Sequence, residues 1–202
     1  MKTIDEIKQK ALEEHIPIIM DDSLEIVKEI LIKENPKKIL EIGTATGYSS
    51  ICFANTLLEN CRGEYCLPVL IDTIELDEQR ASEAIQNIKD MKLENNINVL
   101  IGNAVEILPT LNNKYDIVFI DAAKGKYPIF LQESIRMSKK GTVIIADNIL
   151  YKGYVMSDYN KHKQRTAVTH LREYIKLATE DKRLETKILE VGDGLAISRV
   201  LR

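Results

Sequence analysis

Acidic and amide side chains follow two strand-like runs of the sequence. Asp121 comes directly after residues 115–120, and Asp147 and Asn148 come directly after residues 141–146. Because the carboxyl ends of parallel strands meet at one edge of a sheet, we expect these three side chains to lie together. They offer only oxygen ligands, which suit magnesium or calcium rather than zinc. The sequence therefore predicts a hard-cation site.

A glycine-rich turn lies upstream of these acids. Gly43 and Gly47 are separated by three residues, and Glu41 precedes them at the end of a predicted strand. Glycines permit a sharp turn and a close approach to a ligand, and the following helix start offers free N–H groups. The spacing differs from the GxGxxG pattern of pyrophosphate binders. A nearby acid suits a cofactor that carries an amino-acid ammonium; a plain strand–helix turn is the alternative.

Other polar residues follow the remaining predicted strands. Glu75 can accept hydrogen bonds from both ribose hydroxyls of a nucleotide, or it simply begins a helix. Asn103 either contacts an adenine edge or caps a helix. Lys124 follows Asp121 by three residues, and partial desolvation beside a cation favours its neutral form. We therefore predict Lys124 as a general base.

Alternating strands and helices must position these residues. Predicted strands cover residues 38–42, 69–74, 97–101, 115–120, 142–146, 185–191 and 195–200. Predicted helices cover residues 2–14, 22–35, 48 to about 58, 77–91, 105–108, 127–138 and 166–179. Asp22 or Ser23 is expected to cap the second helix. The order predicts an α/β fold: a Rossmann-like, doubly wound, mostly parallel seven-stranded sheet with a C-terminal antiparallel hairpin strand.

Length and composition limit the class of protein. The 202 residues suffice for one sizeable core, so we expect a single domain over 1–202, with amino-terminal helices in 1–35. The net charge of −3 argues against bulk coating of nucleic acid, although a local basic patch is compatible with it. We find no signal peptide, and no apolar run approaches the ~20 residues of a membrane span. Three cysteines without CxxC spacing fit reduced thiols, so we expect a cytoplasmic protein.

The segment 151–165 is polar, aromatic and basic, with no clear period, and we interpret it as a lid or substrate loop. A solvated face is the ordinary explanation for such charge, and phosphate contacts are the alternative. The candidate substrate or RNA contacts are Lys152, Tyr154, Lys161, Lys163 and Arg165.

Five segments occur in one order along almost the whole chain: EIGTATGYS (41–49), TIE (73–75), FIDAAK (119–124), DN (147–148) and VGDGL (191–195). Together they resemble the metal- and S-adenosylmethionine-dependent O-methyltransferases, the family of animal catechol and plant caffeoyl-CoA methyltransferases. DNILYKG (147–153) and VGDGLAIS (191–198) are most similar to the bacterial tRNA 5-hydroxyuridine methyltransferases. Those enzymes form 5-methoxyuridine at the wobble position.

The resemblance implies two ligands, S-adenosylmethionine and magnesium, and a homodimer. It places magnesium at Asp121, Asp147 and Asn148, and it gives Lys124 and Asp121 catalytic roles. Asn103 stands where many relatives carry aspartate. The implied cofactor-binding residues are Ile19, Glu41, Gly43, Ser49, Glu75, Asn103, Ala104 and Asp121.

The substrate is less constrained than the reaction. The leading hypothesis is 5-hydroxyuridine in the tRNA anticodon, and the alternative is a small catechol or other phenol. The 5-hydroxyl and 4-carbonyl oxygens of the uridine resemble the oxygen pair of a catechol, so the core residues do not distinguish them. Tyrosines and lysines in the segment 151–165 favour RNA. A nicotinamide oxidoreductase is disfavoured by the missing GxGxxG, and a non-catalytic binder has no need of the metal set.

Overall fold

One seven-stranded sheet runs through the residues that the computed structural model describes, 2–60, 69–157 and 164–202. Its strands are β1 (Lys38–Ile42), β2 (Leu70–Glu75), β3 (Ile97–Ile101), β4 (Tyr115–Ile120), β5 (Ser138–Ala146), β6 (Leu184–Leu189) and β7 (Leu195–Val200). Their order across the sheet is β3-β2-β1-β4-β5-β7-β6. Strand β7 is antiparallel to both its neighbours, and the pairs from β3 to β5 are parallel. The predicted fold class is confirmed, with the antiparallel strand lying between β5 and β6.

Helices connect these strands and cover the sheet. They are α1 (Ile4–Glu13), α2 (Asp21–Glu34), α3 (Tyr48–Asn60), α4 (Glu78–Asp90), α5 (Ala104–Ile107), α6 (Tyr127–Arg136) and α7 (Arg165–Glu180), with short 3-10 turns at Leu108–Thr110 and Lys124–Lys126. Within the described ranges, every helix is too short or too polar to bridge a lipid bilayer.

Side chains of each central strand alternate between two apolar layers, as the two-residue period of a strand requires. On one face, Ile39 and Phe119 pack with α3, where the rings of Phe53 and Phe119 meet edge to face at 5.2 Å. On the other face, Tyr127 of α6 meets Tyr174 of α7 with ring centroids 5.7 Å apart. Both layers are buried, so the strand ends are held rigidly where the polar residues emerge.

Strand β1 lies between β2 and β4, so the direction of the chain connections reverses at β1. A ligand cleft is expected outside the carboxyl ends of the strands at such a reversal. Gly43 and Asp121 directly follow β1 and β4, and Glu75 is the last residue of β2.

Several predicted boundaries differ from the structure, and the differences at α6 and α2 have a clear physical reason. Helix α6 ends at Arg136 rather than at residue 138, because Ser138 pairs with Tyr115 and so begins β5. Helix α2 begins at Asp21 with the backbone of Met20 at the cap position, and no side chain caps it. Asp22 instead accepts a hydrogen bond from a distant turn, as described below.

Arg165 was predicted as the end of the lid, but it is the first residue of α7. The helix begins there because its apolar face, with Val168 and Leu171 buried, already packs against the second apolar layer. The described part of the predicted lid is therefore residues 151–157, which form turns, together with Gln164 and Arg165 at the start of α7.

Candidate active site

A cleft of about 500 Å³ opens where the sheet reverses direction. Its lining includes nine of the residues predicted to bind cofactor or metal or to act in catalysis: Ile19, Gly43, Ser49, Glu75, Asn103, Ala104, Asp121, Lys124 and Asn148. Glu41 and Asp147 lie behind this lining, and both are fully buried. The structure thus brings residues from across the chain to one place.

The glycine turn is pressed against the end of β4. Gly43 has a φ of 107°, and a Cβ built on it would lie 2.0 Å from the carbonyl oxygen of Asp121. No other residue fits this approach without moving the backbone. The N–H of Asp121 also donates to the carbonyl of Ile42 at 2.9 Å. The cofactor turn and the first predicted metal ligand are therefore held together by backbone contact.

Glu41 is held beneath the cleft by three hydroxyl groups. Its carboxylate accepts hydrogen bonds from Ser49 and Thr73, each at 2.6 Å, and from Ser50. Burial raises the pKa of Glu41 to about 7, and the three hydroxyl donors oppose that shift. Ser49 lies in the cleft lining, so the negative charge of Glu41 would act on a ligand ammonium through the Ser49 hydroxyl.

Glu75 and Asn103, which are predicted to contact a nucleotide, both line the cleft. The carboxylate of Glu75 accepts the N–H groups of Ala45 at 2.8 Å and Asp77 at 2.9 Å. Asn103 accepts the N–H of Val105 at 3.0 Å and so caps α5. The capping alternative for Asn103 therefore holds in the structure, while its position in the cleft lining also leaves it facing a ligand.

Asp121 and Asp147 follow directly paired residues of β4 and β5, Ile120 and Ala146. Oδ1 of Asp147 accepts the N–H of Asn148 at 2.8 Å, but its buried Oδ2 finds no hydrogen-bond partner among the described residues. Burial raises the pKa of Asp121. Burial, followed by repulsion from Asp121, raises the pKa of Asp147 to about 7.

These carboxylates fit a divalent cation. A buried carboxylate oxygen without a donor is costly, and two adjacent acids repel each other, so a cation would relieve both penalties. The donor set of two carboxylates and one amide oxygen suits magnesium. No cluster of three His, Cys, Asp or Glu side chains able to hold a metal occurs in the described ranges, so Asn148 would be needed as the third ligand.

Lys124 lies beside this set. Its Nζ donates to Oδ1 of Asn148 at 3.1 Å and lies 5.7 Å from the centroid of the Tyr151 ring. The lysine also lines the cleft, at the start of the turn Lys124–Lys126. Its amine therefore lies beside the residues predicted to hold the metal, and its role as a general base stays a prediction.

The described part of the lid begins with an unusual backbone. Tyr151 and Lys152 have φ values of 41° and 56°, in the left-handed region. The rings of Tyr151 and Tyr154 meet edge to face at 5.9 Å. Arg172 of α7 donates to backbone carbonyls of this segment, including that of Val155 at 3.0 Å. Lys152 and Arg165 are exposed, and the candidates Lys161 and Lys163 lie outside the described residues.

Several cleft residues carry no obvious sequence signal. They are Pro17, Ile18, Arg80, Lys126 and Phe130. Pro17 and Ile18 do belong to an apolar run at residues 17–20, between two predicted helices, which is a weak sign of a buried segment. Tyr127 was also missed: its hydroxyl donates to the carbonyl oxygen of Asp147 at 2.9 Å. A buried tyrosine shortly after Lys124 gives no local pattern that would reveal this contact.

Comparison with known proteins now identifies the class. The family model described as O-methyltransferase matches residues 2–201. A catechol O-methyltransferase of Niastella koreensis is 33% identical over 173 residues, which cover 81% of this chain and 73% of that protein. A catechol O-methyltransferase of Sus scrofa is 30% identical over 180 residues, covering 84% and 91%.

Solved structures agree with this result. A provisionally named caffeoyl-CoA O-methyltransferase from Staphylococcus aureus superposes with a TM-score of 0.87 at 32% identity, covering 99% of this chain and 93% of that one. An O-methyltransferase from Bacillus cereus, solved in complex with SAH (S-adenosylhomocysteine), gives a TM-score of 0.83 at 25% identity, covering 99% and 92%. The chain belongs to the O-methyltransferase family, and it is an S-adenosylmethionine-dependent enzyme of the catechol and caffeoyl-CoA type.

Proposed function

We propose that this enzyme methylates a hydroxyl that has a second oxygen on the neighbouring carbon, with magnesium held by Asp121, Asp147 and Asn148. The observation that carries the proposal is the buried Oδ2 of Asp147, which has no partner in the described residues and lies next to Asp121 at the cofactor cleft. When bound, S-adenosylmethionine would supply an electrophilic methyl group, and magnesium would favour the ionised form of the acceptor hydroxyl.

The chain's own residues would mainly position the reactants and move one proton. Glu75 would orient the ribose hydroxyls, and Ser49, backed by Glu41, would receive the cofactor's ammonium. Lys124 Nζ would take the hydroxyl proton as the acceptor oxygen bonds to the methyl carbon and the carbon–sulfur bond breaks. Asn148 holds that amine at 3.1 Å.

We further propose 5-hydroxyuridine at the tRNA wobble position as the acceptor, giving 5-methoxyuridine. Positive charge around the cleft supports an anionic substrate: Lys126 lines it, and Lys152 is exposed on the lid. Tyr151 and Tyr154 offer aromatic surfaces for an unstacked base. A homodimer and a tRNA partner both stay predictions.

A small catechol is the second candidate acceptor. The support comes from the relatives, since proteins named catechol O-methyltransferase reach 33% and 30% identity. A catechol would present the same pair of adjacent oxygens to Asp121, Asp147 and Asn148. It would have no need of the exposed cation at Lys152.

The acceptors can be separated by transfer of a labelled methyl group to tRNA that contains 5-hydroxyuridine, to tRNA that lacks it, and to a simple catechol. We expect methylation of the hydroxylated tRNA and its loss with EDTA. Lys152→Glu should weaken tRNA turnover by about tenfold but leave any catechol turnover unchanged. Lys140→Glu, the same charge change at an exposed site on β5, is the matched control. Methylation of catechol alone would overturn the tRNA assignment.

A further inference from the structure

The turn between β6 and β7, residues 192–194, contacts the segments that adjoin the two sides of the cleft. We define the amino-terminal wall as residues 17–19, which line the cleft immediately before α2. We define the metal loop as residues 148–153, which contains Asn148 and Tyr151. These two segments are more than a hundred residues apart in sequence, so a physical link between them must be tertiary.

Toward the metal loop, the turn offers two backbone carbonyls. That of Asp193 accepts the N–H groups of Leu150 at 2.8 Å and Tyr151 at 3.2 Å, and that of Gly194 accepts the N–H of Ile149 at 3.0 Å. A Cβ built on Gly194 would lie 2.3 Å from Leu150 Cγ. The contact is therefore so close that a side chain at Gly194 would push the loop away.

Toward α2, the turn meets residues that directly follow the amino-terminal wall. The N–H of Gly192 donates to Oδ2 of Asp22 at 3.0 Å. A Cβ built on Gly192 would lie 2.8 Å from Oγ of Ser23, which is fully buried. Gly192 also has a φ of 55°, where other residues are strained. The close contact with α2 thus requires a glycine at position 192, and the close contact with the metal loop requires one at position 194.

The metal loop needs such external support. Asn148, Tyr151 and Lys152 are non-glycine residues in the left-handed region. Each such conformation costs free energy and persists only where the surroundings impose it. The carbonyls of Asp193 and Gly194 supply that constraint between Asn148 and Lys152, and Tyr151 in turn covers Lys124.

We propose that residues 192–194 form a clamp that fixes the metal loop relative to the amino-terminal wall, and that Asp22 is a positioning residue for methyl transfer. By the proposed function, the cofactor would contact the amino-terminal wall and the acceptor would contact the metal loop, so their separation would set the distance between the reacting atoms. A misplacement of about 1 Å can lower such a rate by about 10²-fold. The proposal depends on the enzyme class and not on the identity of the acceptor.

Asp22→Ala and Asp22→Asn test the hydrogen bond, with Asp21→Ala as the matched control. Asp21 is the preceding residue of the same helix turn and contacts Lys8 instead of the clamp. Asp22 is exposed, so its hydrogen bond is weakened by competition with water and its loss should have a modest effect. We expect Asp22→Ala to lower kcat by about threefold, with the KM for the cofactor nearly unchanged. Oδ1 of Asp22 also accepts the N–H of Ser23 at 2.8 Å, so Asp22→Asn, which keeps one acceptor oxygen, should restore kcat in part. Asp21→Ala should match the wild type. Equal effects of Asp22→Ala and Asp21→Ala, or no rescue by Asn, would overturn the proposal.

Gly192→Ala tests the other half of the contact. We expect kcat to fall by about tenfold, and the double variant with Asp22→Ala to fall little further, because both changes release one clamp. Amide hydrogen exchange at Leu150 and Tyr151 should accelerate in both single variants. A single clamp would be contradicted if the double variant lost kcat by the product of the two single losses. Unchanged exchange at those amides in the single variants would also contradict it.

These readouts separate the clamp from the proposed acceptor. Exchange at Leu150 and Tyr151 requires no acceptor, so it reports on the clamp even if tRNA is not methylated. Conversely, turnover of hydroxylated tRNA by the wild type with unaltered exchange in Gly192→Ala would support the acceptor and overturn the clamp.

Discussion

The two sides of the cleft differ in how their acids are satisfied. On the cofactor side, Glu41 accepts three hydroxyl hydrogen bonds and Glu75 accepts two backbone N–H groups. On the metal side, Asp147 has one carboxylate oxygen bonded to the Asn148 N–H and the other buried without a partner in the described residues. The acids of the first side are satisfied by donors of the protein, whereas one acid of the second side keeps a carboxylate oxygen without a donor in the described residues.

This difference in hydrogen bonding indicates that the two sides differ in what they require from a ligand. The hydrogen bonds of the protein already order the cofactor side, so the binding of a ligand would cost little free energy for ordering it. The metal side holds close carboxylates whose repulsion and burial raise their pKa values, and a bound cation would offset this penalty. Asp121 belongs to both sides, because its backbone abuts Gly43 while its carboxylate repels that of Asp147.

The largest expected effect comes from Asp147→Ala. We expect kcat to fall by about 10³-fold or more, because the metal would lose a ligand that the mechanism requires. The dissociation constant of SAH should change by less than about threefold, since the residue lies behind the metal side. Steady-state rates at saturating magnesium and calorimetric titration with SAH measure the two quantities.

Asp147→Asn serves as the control for packing in that experiment, because it keeps the side-chain volume and removes the charge. It should be nearly as inactive as the alanine variant. Full activity of Asp147→Ala would contradict the metal mechanism, and a large loss of SAH affinity would contradict the division between the two sides.

The second effect is a pH dependence of stability from Glu41. Burial raises the pKa of Glu41 from 4.5 to about 7, so the folded state holds this proton more tightly than the unfolded state. The stability gained is present below the unfolded pKa and is lost as the pH rises through about 7. Between about pH 5 and about pH 8, the wild type should lose about 2–3 kcal/mol more than Glu41→Gln.

Urea unfolding at several pH values in EDTA measures this difference. Asp147 titrates in both proteins, so its contribution cancels in the comparison. Parallel curves of unfolding free energy against pH for the wild type and Glu41→Gln would show that Glu41 is ionised throughout.

The sequence predicts most of the fold because its signals are local. Buried strands followed by glycine, acid or amide residues alternate with amphipathic helices, and the rules for parallel sheets place those strand ends at one edge. Gly43, Glu75 and Asp121 were found in this way. Ser138 was misassigned because the periodicity of α6 continues into it, and only its pairing with the distant Tyr115 places it in a strand.

The contacts that complete the site could not be predicted from local patterns. The hydroxyls around Glu41 come from α3 and β2, and the Asp22–Gly192 contact joins residues 170 positions apart. Tertiary packing brings such pairs together, and the type of a single residue does not predict its partner. Sequence therefore identified the chemistry-bearing residues but not the residues that hold them.

The third effect tests the cofactor side through Glu75. Glu75→Ala should raise the dissociation constant of SAH by about ten- to thirtyfold, because the predicted acceptor of the ribose hydroxyls is lost along with the support of Ala45. At saturating cofactor, kcat should stay within about threefold of the wild type. Glu78→Ala, at an exposed position at the start of α4, is the control and should leave both quantities unchanged. A fall in kcat without a change in affinity would reverse the assignment of the two sides.

The smallest effect concerns Tyr127, which supports the metal side from below. Its hydroxyl donates to the Asp147 carbonyl at 2.9 Å, and the residue is fully buried. Tyr127→Phe keeps the ring packing against Tyr174 and should lower the free energy of unfolding by about 1 kcal/mol. Because the backbone of a predicted metal ligand loses its support, the magnesium concentration for half-maximal activity should rise by about two- to threefold.

Tyr115→Phe removes the same atom at the other end of the sheet, where the hydroxyl donates to Asp72 at 2.8 Å. It should cost similar stability with no change in the magnesium requirement, while SAH affinity stays constant in both variants. If the two variants shift the magnesium requirement equally, Tyr127 contributes only to stability. If Tyr127→Phe alone shifts the magnesium requirement, a buried hydrogen bond to the backbone of Asp147 positions the metal side. The cofactor side differs, because there the hydrogen bonds reach the carboxylates themselves.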